Sequence, residues 1–297
     1  MNEIKLYQET HIPGPWEEFW YQYKQHKAAM VGLVCLLIIV LLAFIGPMLI
    51  EHDPTVQFSE SLLIPPAWED GGSRMFLLGT DDLGRDMLSR VAYGSRLTLG
   101  LAVIVVFIAT IVGVVLGAMA GISKGPVEFI ILRLMDIFLA VPSLLLAILI
   151  VAIIGPGLLN TIYAVAIVLV PHFVRIVRAV IREELDKEYV IAAKLDGSSP
   201  TRLFLISILP NILPPLVVQI TLSFSTAILD IAALGFLGLG AQAPNPEWGT
   251  ILSQSRDYIQ LAPWTVAAPG LAILITVLCI NLVGDGLRDA LDPRGSQ

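Results

Sequence analysis

Charge is what this chain has least of. Of its 297 residues, 14% are Asp, Glu, Lys or Arg, whereas a water-soluble domain carries about a quarter. Lipid must therefore cover part of it, and a nucleic-acid partner is not expected. A second absence excludes nucleotide chemistry. A P-loop needs a lysine followed by Ser or Thr to hold phosphates and magnesium, and the lysines here are followed by Leu, Gln, Ala, Gly, Glu and Leu in turn. The pattern H-E-x-x-H is also missing. Cys35 and Cys279 lie in separate apolar runs and outside any C-x-x-C pair, which argues against a disulfide or a thiolate metal site. His11, His26, His52 and His172 are scattered without ligand spacing. No catalytic residue, metal or cofactor is expected. If the chain moves a solute uphill, energy must enter through an ion gradient or a separate ATPase chain.

What is present is apolar sequence in long runs: 56% of residues are hydrophobic and the mean hydropathy is +0.80. About 20 apolar residues, at roughly 1.5 Å each, cross the hydrocarbon core. Runs 28–50, 97–123 and 264–284 each suit one crossing. Run 137–173 is too long for one, and Gly155-Pro156-Gly157 predicts two helices joined by a tight turn. Run 203–229 carries Pro210, Pro214 and Pro215, so its crossing is expected from near Ile212 to about Ala233. The reading is an all-α polytopic membrane protein with six transmembrane helices and no internal repeat. A signal peptide would place roughly 7–15 apolar residues near the start. A polar tail, 1–27, comes first instead, and run 28–50 is long enough to stay as an anchor.

Lysine and arginine placement sets the expected orientation. Lys5, Lys24, Lys27, Lys124, Arg133, Arg175, Arg178, Arg182, Lys187, Lys194, Arg202, Arg288 and Arg294 share one side; Arg74, Arg85, Arg90, Arg96 and Arg256 share the other. The first side is expected to be cytoplasmic, with both termini there. The expected organisation is a cytoplasmic tail 1–27 with an interfacial helix, a first crossing 28–50, an acidic periplasmic loop 51–96, a transmembrane domain 97–285 and a cytoplasmic end 286–297. Trp16, Phe19, Trp20 and Tyr23 share one helical face, which would lie in the membrane surface or fold back on the chain's own helices.

Two carboxylates fall inside the runs. Asp136 follows Arg133 by three residues, a spacing that suits a helical ion pair. Asp230 lies toward the outer end of the fifth crossing, within reach of interfacial water or a neighbouring helix. Charge inside a membrane costs about 2.5–3.5 kcal/mol on insertion scales, so both are also candidates for lining a path.

The most informative connection is 181–210. Glu183 to Leu195 are helix formers, Gly197 suits the left-handed turn past a helix end, and Ser199-Pro200 reads as the start of a second helix. Leu203, Phe204, Ile206 and Ile208 give that helix an apolar surface, and Pro210 is expected to stop it. An apolar knob of this kind needs a partner surface or lipid.

Ala192-Ala193-Lys194-Leu195-Asp196-Gly197, then Leu209-Pro210, resembles the E-A-A–x3–G–x9–I-x-L-P coupling loop of bacterial ABC importer permeases, with Ile191 in place of the usual Glu and Ser207 in place of the usual Ile. Leu78-Gly79-Thr80-Asp81-Asp82-Leu83-Gly84-Arg85-Asp86 with Ser89-Arg90 and Gly94-Ser95-Arg96 is similar to the outer segment of the second permease of dipeptide, oligopeptide and nickel importers. So are Ala232 to Gly240 with Pro246-Glu247-Trp248-Gly249, and Gly284 to Pro293 at the end. Each segment also has a purely structural reading: a turn and amphipathic helix, close backbone approach, and an interfacial turn.

The resemblance covers nearly the whole chain. It implies a type I, MetI-like permease core in a bacterial inner membrane that forms a path for dipeptides or similar small peptides. Oligopeptides, nickel chelates or haem are the alternative cargoes. It implies a second, different permease, two ATPase subunits and a periplasmic or lipid-anchored binding protein as partners. Carried over residue by residue, ATPase coupling falls on Ala192, Ala193, Asp196, Gly197, Leu203, Leu209 and Pro210. An ion-coupled secondary transporter is the rival, but it would need an ion-binding constellation and often repeats.

Overall fold

The computed structural model describes residues 14–291 as helices joined by turns and loops, with no strand among them. Lys5, His11, Asp292-Pro293 and Arg294, used above, lie outside the described residues. In chain order the helices are α1 (Pro15–Gln25), α2 (Lys27–Leu49), α3 (Met87–Ile122), α4 (Pro126–Leu139), α5 (Ser143–Ile154), α6 (Leu158–Leu185) and α7 (Glu188–Leu195). After a turn come α8 (Pro200–Arg202), a π-helical turn (Leu203–Ile208), α9 (Leu209–Phe236), α10 (Trp248–Ser255) and α11 (Trp264–Leu291). Five stretches are long and apolar enough to cross a membrane: α2, α3, α6, Leu203–Phe236 and α11. A sixth crossing requires α4 and α5 to act together, and they are bent 94° from each other.

Three details differ from the reading of the sequence. The third crossing is broken at 140–142, because Pro142 removes a backbone donor and pushes Val141 out of helical geometry. Its second half, α5, spans only about 18 Å at 1.5 Å per residue. Helix α3 begins ten residues ahead of the apolar run, at Met87, where the Asp86 carboxylate caps the Leu88 N–H at 3.2 Å. At about 54 Å it is far longer than the hydrocarbon is thick, and its first turns carry Arg90 and Arg96. Finally, Pro210 does not end a helix. The preceding turn is widened to π geometry, with the Leu209 N–H bonded to the Phe204 carbonyl. Proline then occupies a first-turn position of α9, where its missing donor is tolerated.

The core is organised around α3 and α6. Gly113, Gly117 and Gly121 repeat every fourth residue and so share one face of α3. A Cβ on Gly113 would lie 2.2 Å from the Phe173 Cβ; on Gly117, 2.8 Å from the Val177 Cβ; on Gly121, 2.8 Å from the Ile181 Cγ2. The two helices therefore touch backbone to side chain along three turns, as small residues permit in membranes. Phe173, Val177 and Ile181 are almost wholly buried there, in the same cluster as Val105, Ala109 and Ile228.

The other helices are added to this pair. The α1 face divides: Tyr23 packs on Ala29 and Ala290 with Phe19 beside it, whereas Trp16 and Tyr21 stay exposed. Fold-back thus describes part of that helix. Cys279 is buried and Cys35 half-buried, both as free thiols.

If the glycine face is the seam of the fold, Gly117→Val should sharply reduce membrane-inserted, protease-resistant protein, since overpacking a filled core costs about 1–3 kcal/mol or more. Gly100→Val is the control, because a Cβ there meets nothing within 4 Å. Equal recovery of both variants from membranes would contradict this assignment.

Candidate functional site

The connection between α6 and α9 forms a helical hairpin. Helix α7 ends in a double-bonded turn: the Gly197 N–H bonds the Lys194 carbonyl and the Ser198 N–H bonds the Ala193 carbonyl, both at 3.1 Å. Gly197 has φ +80 and open space where a Cβ would stand, so its requirement is conformational rather than steric. Beyond the turn, Ser199 caps Arg202 at 3.3 Å, and helical backbone then continues through α8 and the π turn into α9. The segment expected to be a short second helix is thus the first part of one rod that enters the fifth crossing.

The hairpin's two legs are tied together. The Tyr189 hydroxyl donates to the Glu184 carboxylate at the end of α6 and accepts from Asn211 Nδ2 at 2.9 Å. Asn211 also donates to the Ser207 carbonyl at 2.8 Å. Desolvation and the neighbouring Glu184 carboxylate push the Tyr189 hydroxyl up to about 12. It therefore remains a proton donor at physiological pH. Lys187 pairs with the same Glu184, whose hydrogen bond holds the lysine above its ordinary value.

A ladder of charges braces α6 from the other side. Arg175, Arg178 and Arg182 recur at helical spacing on α6 and face Asp136 and Glu128 on α4. Arg175 donates to Asp136 at 2.7 Å. Arg178 and Arg182 each reach a different oxygen of Glu128 at 2.5 Å. Asp136 is thus paired, but with Arg175 across two helices and not with Arg133. Arg133 instead lies 5.3 Å from the Phe129 ring centre. The helix–helix distance, invisible to spacing along one chain segment, decided the partner.

The candidate coupling residues separate by exposure. Ala192, Asp196 and Pro210 face outward; Ala193 and Leu209 are half-buried against the main core. Leu203, at 4% exposure, is inside that core and cannot enter a partner's groove. The outward apolar surface is instead Ile191, Leu195, Leu205 and Ile206, with Leu195 84% exposed. Asp230 is buried in α9, and its Oδ2 has no hydrogen-bond partner among the described residues.

At the opposite end, the separate motifs of the sequence converge. Asp81 accepts from Arg85 Nε at 2.7 Å, and the Gln254 side-chain carbonyl accepts from both Arg85, at 3.1 Å, and Arg90, at 2.7 Å. Glu247 caps α10 through the Thr250 N–H at 2.9 Å and accepts from Thr98 Oγ1 at 3.1 Å. Burial raises the Glu247 carboxyl above the ordinary range against these bonds. Trp248 is buried and donates to the Val91 carbonyl at 3.0 Å. Gly249 meets the Ala232 carbonyl so closely that a Cβ would stand 2.1 Å from it. These contacts lock the loop before α3, the end of α9 and helix α10 into one cap. Glu247, Gln254 and Thr98 are its joints; of these only Glu247 lies in a motif that stands out in the sequence, Pro246-Glu247-Trp248-Gly249.

Known proteins can be set beside this geometry. A family described as "Binding-protein-dependent transport system inner membrane component" matches residues 113–297, more than half of the chain. "N-terminal TM domain of oligopeptide transport permease C" matches residues 14–66. The chain is 54% identical over 282 residues to the di/tripeptide transport system permease protein DppC of Pseudomonas aeruginosa, covering 95% of this chain and 93% of that protein. It is 52% identical over 283 residues to the dipeptide transport system permease protein DppC of Escherichia coli K12, covering 95% and 94%. Against the peptide transport system permease protein SapC of Escherichia coli O6:H1 the identity is 46% over 286 residues, covering 96% and 97%. A solved structure titled as an inward-facing MetNI methionine ABC transporter superposes with a TM-score of 0.57 at 20% identity, over 69% of this chain and 98% of that one.

Proposed function

Because this chain belongs to the family of binding-protein-dependent transport system inner membrane components, we propose that it forms half of a peptide path and is driven through the α6–α9 hairpin. It is a multi-pass membrane permease subunit of an ABC importer with a MetI-like fold, and not itself an enzyme. The cargo we assign is dipeptides or similarly small peptides, because the relatives that match nearly the whole chain are named for dipeptides and di/tripeptides.

The observation that carries the mechanism is the outward apolar surface of Ile191, Leu195, Leu205 and Ile206 on a braced hairpin. The sequence carries no P-loop, so energy from ATP must reach it from a separate chain, and the surface fits an ATPase subunit. Two ATPases, a second and different permease and an external binding protein complete the assembly we propose. ATP binding favours the state in which the ATPases are closed; the hairpins follow, and the two permeases open outward. Motion of α7 reaches the membrane along two routes, through Tyr189 to α6 and through the Gly197 turn into α9. Lys27, Lys124, Arg182, Lys187 and Lys194 all lie toward the hairpin end, which supports placing that end and both termini in the cytoplasm. A phosphatase fused at Asp70 should then be active and one fused at Asp186 silent; activity at Asp186 would invert the orientation.

The coupling assignment is tested in cells lacking other peptide importers, by labelled-dipeptide uptake and by ATPase recovery with affinity-purified permease, normalised to permease in the membrane. Gly197→Val places a β-branched residue at positive φ, a strain of about 1–3 kcal/mol. It should leave insertion intact while reducing ATPase recovery and uptake. Leu195→Asp should do the same. Leu203→Asp, by contrast, should lower the amount of permease itself, since it buries a carboxylate in the core. Full recovery and uptake with Leu195→Asp and Gly197→Val would remove the hairpin from the mechanism, and wild-type protein that imports no dipeptide would overturn the cargo.

A further inference from the structure

Next to the Gly197 turn lies a partly open cavity of about 390 Å3 that the coupling contacts leave unused. Lys124, Arg182, Asp186, Lys194 and Ser198 line it, with Leu203 closing one wall. The polar residues come from three places: the turn after α3, the last turn of α6 with the residue that follows it, and the end of α7 with its turn. Three cations thus meet one carboxylate. Arg182 is held by Glu128 Oε2 at 2.5 Å and the Ser123 carbonyl at 2.7 Å, but Glu128 also serves Arg178, so two guanidiniums share one acid. The side chains of Lys124 and Lys194 form no ion pair or hydrogen bond with any described residue. The two lysines are open to solvent, which screens their repulsion, and their unpartnered ammonium groups are free to meet an anion that enters the cavity.

We propose that this cavity binds a phosphate group between Lys124 and Lys194, with Arg182 and the Ser198 hydroxyl as further donors. Phosphate suits the set: it is compact, carries up to two charges and accepts several hydrogen bonds, whereas a lone carboxylate would leave cations unmet. Two sources share that chemistry, the head group of an anionic phospholipid and free inorganic phosphate. The position at the ends of membrane helices, with apolar Leu203 in the wall, resembles basic pockets that hold anionic head groups. A bound phosphate would bridge the end of α3 to the end of α7. It would act as a second strut on the hairpin besides Tyr189, so occupancy would couple lipid or phosphate supply to hairpin rigidity.

The test uses the purified full-length chain and does not depend on transport. Native mass spectrometry measures retention of phosphatidylglycerol against phosphatidylethanolamine, and phosphorus NMR line broadening measures inorganic phosphate. Wild-type protein should prefer phosphatidylglycerol, or bind phosphate, about tenfold more strongly than Lys124→Gln/Lys194→Gln. Both lysines are exposed, so the fold should survive their loss. Arg74→Gln/Arg256→Gln removes the same charge elsewhere and should behave as wild type. Charge reversal in Lys124→Glu/Lys194→Glu should abolish binding. Retention of phosphatidylglycerol alone names the lipid as the source; equal broadening by phosphate names the free anion. Wild-type protein that discriminates in neither arm, or a glutamine variant that binds as wild type does, overturns the site.

Discussion

The close approach of α3 to α6 is the contact on which the other elements depend. Within lipid, burying apolar surface between helices gains little over facing acyl chains, so association rests on dispersion and shape. Three glycines in register let α6 lie close enough for Phe173, Val177 and Ile181 to be enclosed. Once α6 is fixed, its polar face can collect partners. Its arginines hold α4 through Glu128 and Asp136, and Glu184 at its end holds Tyr189 and Lys187 of the hairpin. A wider gap between α3 and α6 would loosen the hairpin without touching it.

Each end of the molecule is rigid for a different reason. The cap is held by buried polar contacts among Glu247, Thr98, Thr250, Gln254 and two arginines. The hairpin is held by fewer bonds, and four of its apolar residues, Ile191, Leu195, Leu205 and Ile206, point outward. That asymmetry suits a lever: the exposed end receives force, and continuous helix through the π turn carries it into the membrane. An abrupt stop at Pro210 would have put a flexible joint in that path. The widened turn avoids one by giving proline a position where no donor is missed.

Much of this was legible in the sequence because the solvent imposes it. Hydrocarbon demands long uncharged runs, so α2, α6 and α11 could be located by counting. The turn at Gly197 was legible because only glycine enters positive φ without strain, and it follows a run of helix formers. What failed had long-range or register causes. Asp136 found Arg175 rather than Arg133 because α4 and α6 lie side by side. Leu203 faces inward because inside a widened turn the 3.6-residue period no longer says which apolar side chain is outermost. The break at Pro142 was missed because the residues around it are as apolar as a span. The glycines of α3 were visible at four-residue spacing, but nothing local revealed which helix they met.

The central claim is that the hairpin and the α3–α6 pair move as one body. Pulsed electron–electron resonance between spin labels at Glu188→Cys and Met119→Cys, with Cys35 and Cys279 replaced by Ser, measures it in the assembled importer. Both labelled positions are exposed. The distance should be a single population that changes by less than half a helical turn, about 2.7 Å, when ATP is added. A shift of a full turn, about 5.4 Å, or a second population appearing with ATP, would show that the hairpin swings independently of the helices that carry it.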